Sequence, residues 1–333
     1  MKNQIQNKLE LFAENVRIIK PEFKWHDASA KRLAAMVYAL NGRKIDCAAV
    51  QNSHDLIKSN TGVFSTFRGN MALCIAAMLS LKENREELFA RTAAVYEAMK
   101  KVKFKASDYL TVAAYEIASQ GEKIDEHIAR AREFYDGMKA NSSWFRVGED
   151  DYIYAAMLGL TDIDVKAGTD RVAQLYQHFQ SEFRSKNCVQ ALAQVLVLSG
   201  DCDMVAGRVL ALRDALKTRK IRLDKAYTLP SLGVLALLPV DTETLAQEID
   251  EAQSFLKTQK GFGSLSVSKQ ELQLLAAAVV SVAYADDIKS GAITASVSTS
   301  IASIIIVQQA AIMAAIIASS AAASAASAAA ASS

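Results

Sequence analysis

Apolar residues recur along the chain with the period of a helix. Ile5, Leu9, Phe12, Val16 and Ile19 are spaced by four, three, four and three residues, which places them on one helical face and predicts a first helix ended by Pro21. A compound pattern then repeats: an Ala-rich apolar segment, a short polar turn, a charged amphipathic segment with an aromatic near its end, and a basic or Gly-containing turn. Seven Ala-rich segments stand at 33–40, 74–79, 110–115, 152–158, 189–196, 232–237 and 274–279.

The amphipathic segments align on one large apolar residue each: Ile57, Met99, Met138, Phe179, Leu216 and Leu256, separated by 42, 39, 41, 37 and 40 residues. Three residues before them stand His54, Tyr96, Tyr135, Tyr176, Arg213 and Gln253. A near-constant period held in register predicts an all-α fold of stacked antiparallel helical hairpins, an α-solenoid or α/α superhelix with a period of about 40 residues. The pattern is compatible with an open array and with a closed one. It predicts one continuous body over 1–287 and an uncharged Ala/Ser/Ile-rich helical tail over 288–333.

Gly62-Val63-Phe64-Ser65-Thr66-Phe67-Arg68-Gly69, Phe23-Lys24-Trp25, Lys260-Gly261-Phe262-Gly263-Ser264 and the Ile/Ala/Ser-rich finish resemble a bacterial family catalogued as domain of unknown function 4003. The resemblance covers nearly the whole chain; it implies a helical protein and carries over no activity, substrate or catalytic residue. Segments 87–101 and 131–139 also look like second helices of tetratricopeptide or pentatricopeptide repeats. The period near forty and the lack of a repeating base-reading pair argue against a one-base-per-repeat code.

Composition supports long helices. Of 333 residues 51% are hydrophobic, with only 3 Pro and 14 Gly, too few turn formers for a β-sandwich and too apolar for a disordered chain. The 38 Lys and Arg nearly balance 36 Asp and Glu, so no global field favours nucleic acid. No charged side chain follows Lys289. The polar opening, Met1 to Glu10, has no apolar leader core, and cytoplasmic synthesis is expected. Cys47, Cys74, Cys188 and Cys202 are expected to be reduced thiols, mostly in the core.

Candidate chemistry is thin. His26, His54, His127 and His178 fall in different repeats, without C-x-x-C or H-E-x-x-H spacing, so no metal or other cofactor is expected. Asp201-Cys202-Asp203 and Glu149-Asp150-Asp151 suit helix starts, where acids cap backbone N–H groups; the second could alternatively form an acidic pair for proton transfer. Gly261-Phe262-Gly263 reads as a helix-end turn and Ser266-Val267-Ser268-Lys269 as a chance S-x-x-K.

The charges are more ordered. Turns after the amphipathic segments are basic, with Lys100, Lys101, Lys103 and Lys105 in one, Lys217, Arg219, Lys220, Arg222 and Lys225 in another, and Arg184 and Lys186 between. The opposite turns are acidic, from Glu83, Glu86 and Glu87 to Asp241 and Glu243. Helix dipoles favour such a distribution unaided. Stacking converts it into a basic and an acidic edge, and the basic edge is the candidate surface for an anionic partner.

In the tail, Ile301–Ala318 is just long enough to span a membrane, yet Gln308 and Gln309 sit at its centre. A closing or self-association helix, a membrane tail and a low-complexity end are all open readings. The expected function is a non-catalytic cytoplasmic scaffold that binds an unknown protein or peptide, with Tyr96, Tyr135 and Tyr176 as candidate contacts on a concave face or, alternatively, as packing between repeats. A membrane-associated adaptor using 301–318 is the rival; an enzyme or a nucleic-acid binder ranks lower.

Overall fold

The computed structural model describes residues 1–141, 147–198, 203–264 and 266–289; the tail readings, including 301–318, lie outside them. Fourteen α-helices are described: α1 (Asn3–Glu22), α2 (Ala28–Leu40), α3 (Cys47–Ser59), α4 (Ala72–Ser80), α5 (Arg85–Lys101), α6 (Asp108–Gln120), α7 (Ile124–Ala140), α8 (Tyr152–Gly159), α9 (Val165–Phe179), α10 (Lys186–Val197), α11 (Asp203–Thr218), α12 (Leu229–Leu237), α13 (Thr242–Thr258) and α14 (Lys269–Lys289). There is no strand among the described residues, and the protein is all-α. Pro21 lies in the last turn of α1, which continues one residue past it.

Local chemistry explains the starts. Asp27, Asp46, Asp164 and Asp241 each accept the backbone N–H three residues ahead at 2.8–2.9 Å, and Ser107 does so at 3.2 Å. Burial then separates two classes of helix. Odd-numbered helices bury a stripe, as α5 does with Leu88, Phe89, Thr92, Val95, Tyr96 and Met99. Even-numbered helices form an inner layer: every residue of α8 is buried, and α4 is buried from Ala72 to Leu79. The six aligned apolar residues are at most 1% exposed.

The pairing of helices differs from the expected one. Each amphipathic helix packs against the Ala-rich helix that follows it, as in α3 with α4, α5 with α6 and α7 with α8, rather than the one that precedes it. Small residues make this contact close: a Cβ on Gly159 of α8 would sit 2.7 Å from the Ala131 backbone nitrogen of α7. The first helix joins the scheme, since α1 packs on α2.

α1 also packs on α13 and α14, so the first and last helix pairs meet. The Phe12 and Phe262 rings stand edge to face with centroids 5.1 Å apart. Arg32 of α2 is paired with Glu271 of α14 at 2.9 Å, and Lys8 with Asp286 at 2.9 Å. Gly261 turns the chain at φ +102°, a conformation that side-chain-bearing residues avoid, which lets Phe262 reach Phe12.

An arginine eight residues before the aligned apolar position, missed in the sequence reading, closes the ends of inner helices. Arg130 donates to the carbonyls of Gly159, Thr161 and Ile163 at 2.7–3.3 Å. Arg208 donates to those of Ala236, Leu238 and Val240 at 2.7–2.9 Å, and Arg91 to that of Ala118 at 2.8 Å. Arg171 holds the same register in α9. A guanidinium suits this place because its forked donors meet several unpaired carbonyls at the negative end of a helix.

Candidate functional site

Helices packed side by side and joined by short turns run antiparallel, so the turns sort onto two ends. Turns from odd to even helices, at 23–27, 60–71, 102–107, 141–151, 180–185, 219–228 and 259–268, have five to twelve residues. Turns from even to odd helices have three to six. The long-turn end carries the basic residues.

Four of the seven long turns send an aromatic inward onto the next odd helix, at the position three before the aligned apolar residue. His26 meets His54 with ring centroids 5.0 Å apart, Phe67 meets Tyr96 at 5.1 Å, and Phe104 meets Tyr135 at 5.6 Å. Phe183 lies under the Arg213 guanidinium at 5.7 Å. Tyr96 also accepts a hydrogen bond from the Thr66 hydroxyl at 2.8 Å, and Tyr152 accepts one from the Lys105 backbone N–H at 3.2 Å. Tyr96 and Tyr135 are therefore pedestals beneath turns. Tyr176 is fully buried. All three tyrosines are buried, and the rings of Tyr96 and Tyr135 fill the space between a turn and the next helix.

What the pedestals hold outward is apolar and cationic. Trp25 and Phe64 are fully exposed and Val63 is 74% exposed, while nearly all other large apolar side chains described are covered. The 60–71 turn is pinned on both sides of this tip: Arg68 donates to Thr61 Oγ1 at 3.2 Å and to the carbonyls of Lys58 and Thr61, and Phe67 is buried. Lys24, Lys58, Lys101, Lys103 and Lys105 are exposed and make no ion pair among the described residues. Burial, then the neighbouring Lys58 charge, lowers both His26 and His54, the latter to about 4.

Both basic turns are partly neutralised. Lys100 pairs with Glu97 at 3.0 Å, Lys217 with Asp214 and Asp224 at 3.7 and 3.8 Å, Arg219 with Glu243 at 3.5 Å and Arg222 with Asp224 at 2.8 Å. Lys103 and Lys220, four residues past their aligned apolar positions, both take left-handed backbone, with φ +71° and +60°. Glycine is the usual residue there. Lys123, at the opposite end, shares the conformation but pairs with Glu126.

A cleft of about 490 Å³ lies between the 219–228 and 259–268 turns. Arg219, Lys220, Lys257 and Lys269 oppose the lone acid Asp250 over a floor of Phe262, Val267 and Leu272. Its chemistry suits an anionic, partly apolar group.

Two buried carboxyls lie away from these surfaces. Asp151 Oδ1 accepts from the Gln190 and Gln194 amides, each at 2.8 Å, and Oδ2 from the Gly148 N–H at 2.8 Å. Burial, then the Asp150 charge, raises Asp151 to about 7. Asp151 precedes α8 but caps none of its N–H groups; its carboxyl is turned into the helix layer instead. Glu116 of α6 is raised to about 8 by burial. Among the described residues no cluster of three His, Cys, Asp or Glu side chains could hold a metal, and no helix is long and apolar enough to cross a membrane. Cys74 is buried while Cys47 and Cys188 are partly covered, all three free thiols; Cys202 lies outside the described residues.

The fold and this surface define an all-α protein with an inner and an outer helix layer and one end of long basic turns. Residues 15–310 match the model of a family described as a protein of unknown function, DUF4003, and the chain belongs to that family. The chain is also similar to the uncharacterized protein YeaA of Bacillus subtilis (strain 168), with 24% identity over 266 residues, covering 74% of this chain and 77% of that relative. No solved structure matches.

Proposed function

We propose that the protein is a non-catalytic scaffold: seven helical hairpins with a period near forty residues, stacked antiparallel as in an α/α superhelix and closed where α1 meets α13 and α14. Its contact face is the long-turn end. The observation that carries this reading is the recurrent support of turns from below, His26 on His54, Phe67 on Tyr96 and Phe104 on Tyr135. Buried aromatic area is spent on holding turn geometry, and loops fixed by a rigid framework are where binding residues concentrate. The recurrence of the arginine register supports the repeat reading.

Asp151 and Glu116, the carboxyls raised closest to neutral pH, are shut inside the layers rather than facing the cleft between the 219–228 and 259–268 turns. The test is photo-crosslinking in the cells that make the protein, with a photoreactive residue at Val63 or Lys103 on one end and at Asp125 or Glu243 on the other. Crosslinked products from the first pair alone are expected. Equal products from both ends, or products from the second pair alone, overturn the assignment.

A further inference from the structure

We infer that the long-turn end docks on an anionic phospholipid surface, with Trp25 and Phe64 entering the headgroup boundary and Lys24, Lys58 and Lys103 meeting the lipid phosphates. The inference rests on the long-turn end being the contact face. Trp25 and the Val63-Phe64 tip occupy successive long turns, one before and one after α3, and the first packs on α3 through the His26–His54 ring contact. Both rings are fully exposed, and the Phe64 tip is held out by the Arg68 bonds and by Phe67 anchored on Phe89 and Tyr96. A rigidly presented convex apolar tip needs no complementary pocket in a fluid interface, where aromatic rings are favoured.

The kind of cation points the same way. Arg68 in the 60–71 turn donates to backbone carbonyls, and Arg132 of α7, beside the 102–107 turn, donates to Asp136 and the Lys103 carbonyl. The exposed cations of the 23–27 and 102–107 turns are lysines, flexible point charges that suit a diffuse anionic surface better than the bidentate recognition of one fixed group. Lys103 holds a left-handed position at a steric cost that glycine would avoid, and its ammonium is exposed. A protein or nucleic-acid partner would instead call for concave pockets or arginine forks at the tip.

The full chain is sedimented with vesicles of phosphatidylcholine alone or mixed with phosphatidylglycerol, across a range of salt. Binding to the mixed vesicles, weakened by added salt, is expected. Trp25→Ser with Phe64→Ser changes only exposed side chains and should keep the parent unfolding midpoint, while affinity falls about tenfold per ring. Neutralising Lys58 or Lys103 with Ala lowers affinity roughly fivefold each. No binding, equal binding to neutral vesicles, or undiminished binding of the double variant overturns the inference; the last places any anchor elsewhere in the chain. Absent vesicle binding with persistent photo-crosslinks from Val63 removes the lipid but leaves the contact face, now with a protein partner. Loss of both removes the scaffold reading as well.

Discussion

The two ends of the molecule solve the same problem, how to join an inner helix to an outer one, in different ways. The short turns are closed by polar capping: Asp164 and Asp241 satisfy the N–H groups of the outgoing helix, while Arg130 and Arg208 gather the carbonyls of the incoming one. Nothing there projects far. Several long turns are anchored by aromatic packing, and they expose Trp25, Val63, Phe64 and lysines that make no ion pair among the described residues. At the short turns the capping groups are used internally and the exposed charges, among them Glu83, Glu122 and Asp162, are acidic, whereas the long turns expose apolar and cationic groups. Such groups held rigidly are the mark of a contact surface.

Several substitutions break or sharpen that contrast. The largest effect is expected from Phe67→Ala, which removes a 3%-exposed anchor packed on Phe89 and Tyr96; it should cost about 3–5 kcal/mol in urea unfolding. Tyr96→Phe removes only the bond from Thr66 and should cost about 1 kcal/mol, showing that the ring rather than the hydroxyl is the pedestal. At the short-turn end Arg130→Ala frees three carbonyls and should cost about 2–3 kcal/mol by the same measurement, with Arg130→Lys recovering only part of it. Equal rescue by Lys would show that charge, not the guanidinium fork, closes that end.

The pH dependence separates the buried carboxyls from the histidine pedestal. Glu116, raised to about 8, and Asp151, raised to about 7, bind protons more tightly in the folded chain than in the unfolded one. Their contribution is therefore full below the ordinary carboxylate range and is lost as pH rises from about 4 toward 7–8. His54, lowered to about 4, has the opposite sign: stability falls as pH drops from about 6.5 toward 4. Glu116→Gln should flatten the decline in the urea midpoint between pH 5 and 8. His54→Gln should flatten the decline on acidification, and an unchanged acid limb would remove His54 from that role.

The smallest effect is the most telling. Lys103→Gly relieves a left-handed backbone at φ +71° and should stabilise the fold by up to about 1 kcal/mol. If the long-turn end is a contact surface, the same change weakens binding, so stability and binding move in opposite directions. A Lys103→Gly protein that is more stable and binds equally well would show that this lysine has no part in contact.

The sequence by itself determined the helices, the inner Ala-rich class, the register of Ile57 through Leu256 and the sorting of basic and acidic turns, because a side chain's period along one helix and the dipole at its ends are local properties. The same register also contained Arg91, Arg130, Arg171 and Arg208, legible once the aligned residues were known. Only the tertiary structure decided that each amphipathic helix packs on the helix after it, that Tyr96 and Tyr135 sit beneath turns, that Phe12 meets Phe262, and that Trp25 and Phe64 stand exposed. Periodicity reports which face of a helix is buried and is silent on what buries it. Contacts such as Arg32 with Glu271, separated by 239 residues, depend on the summed packing of every pair between them.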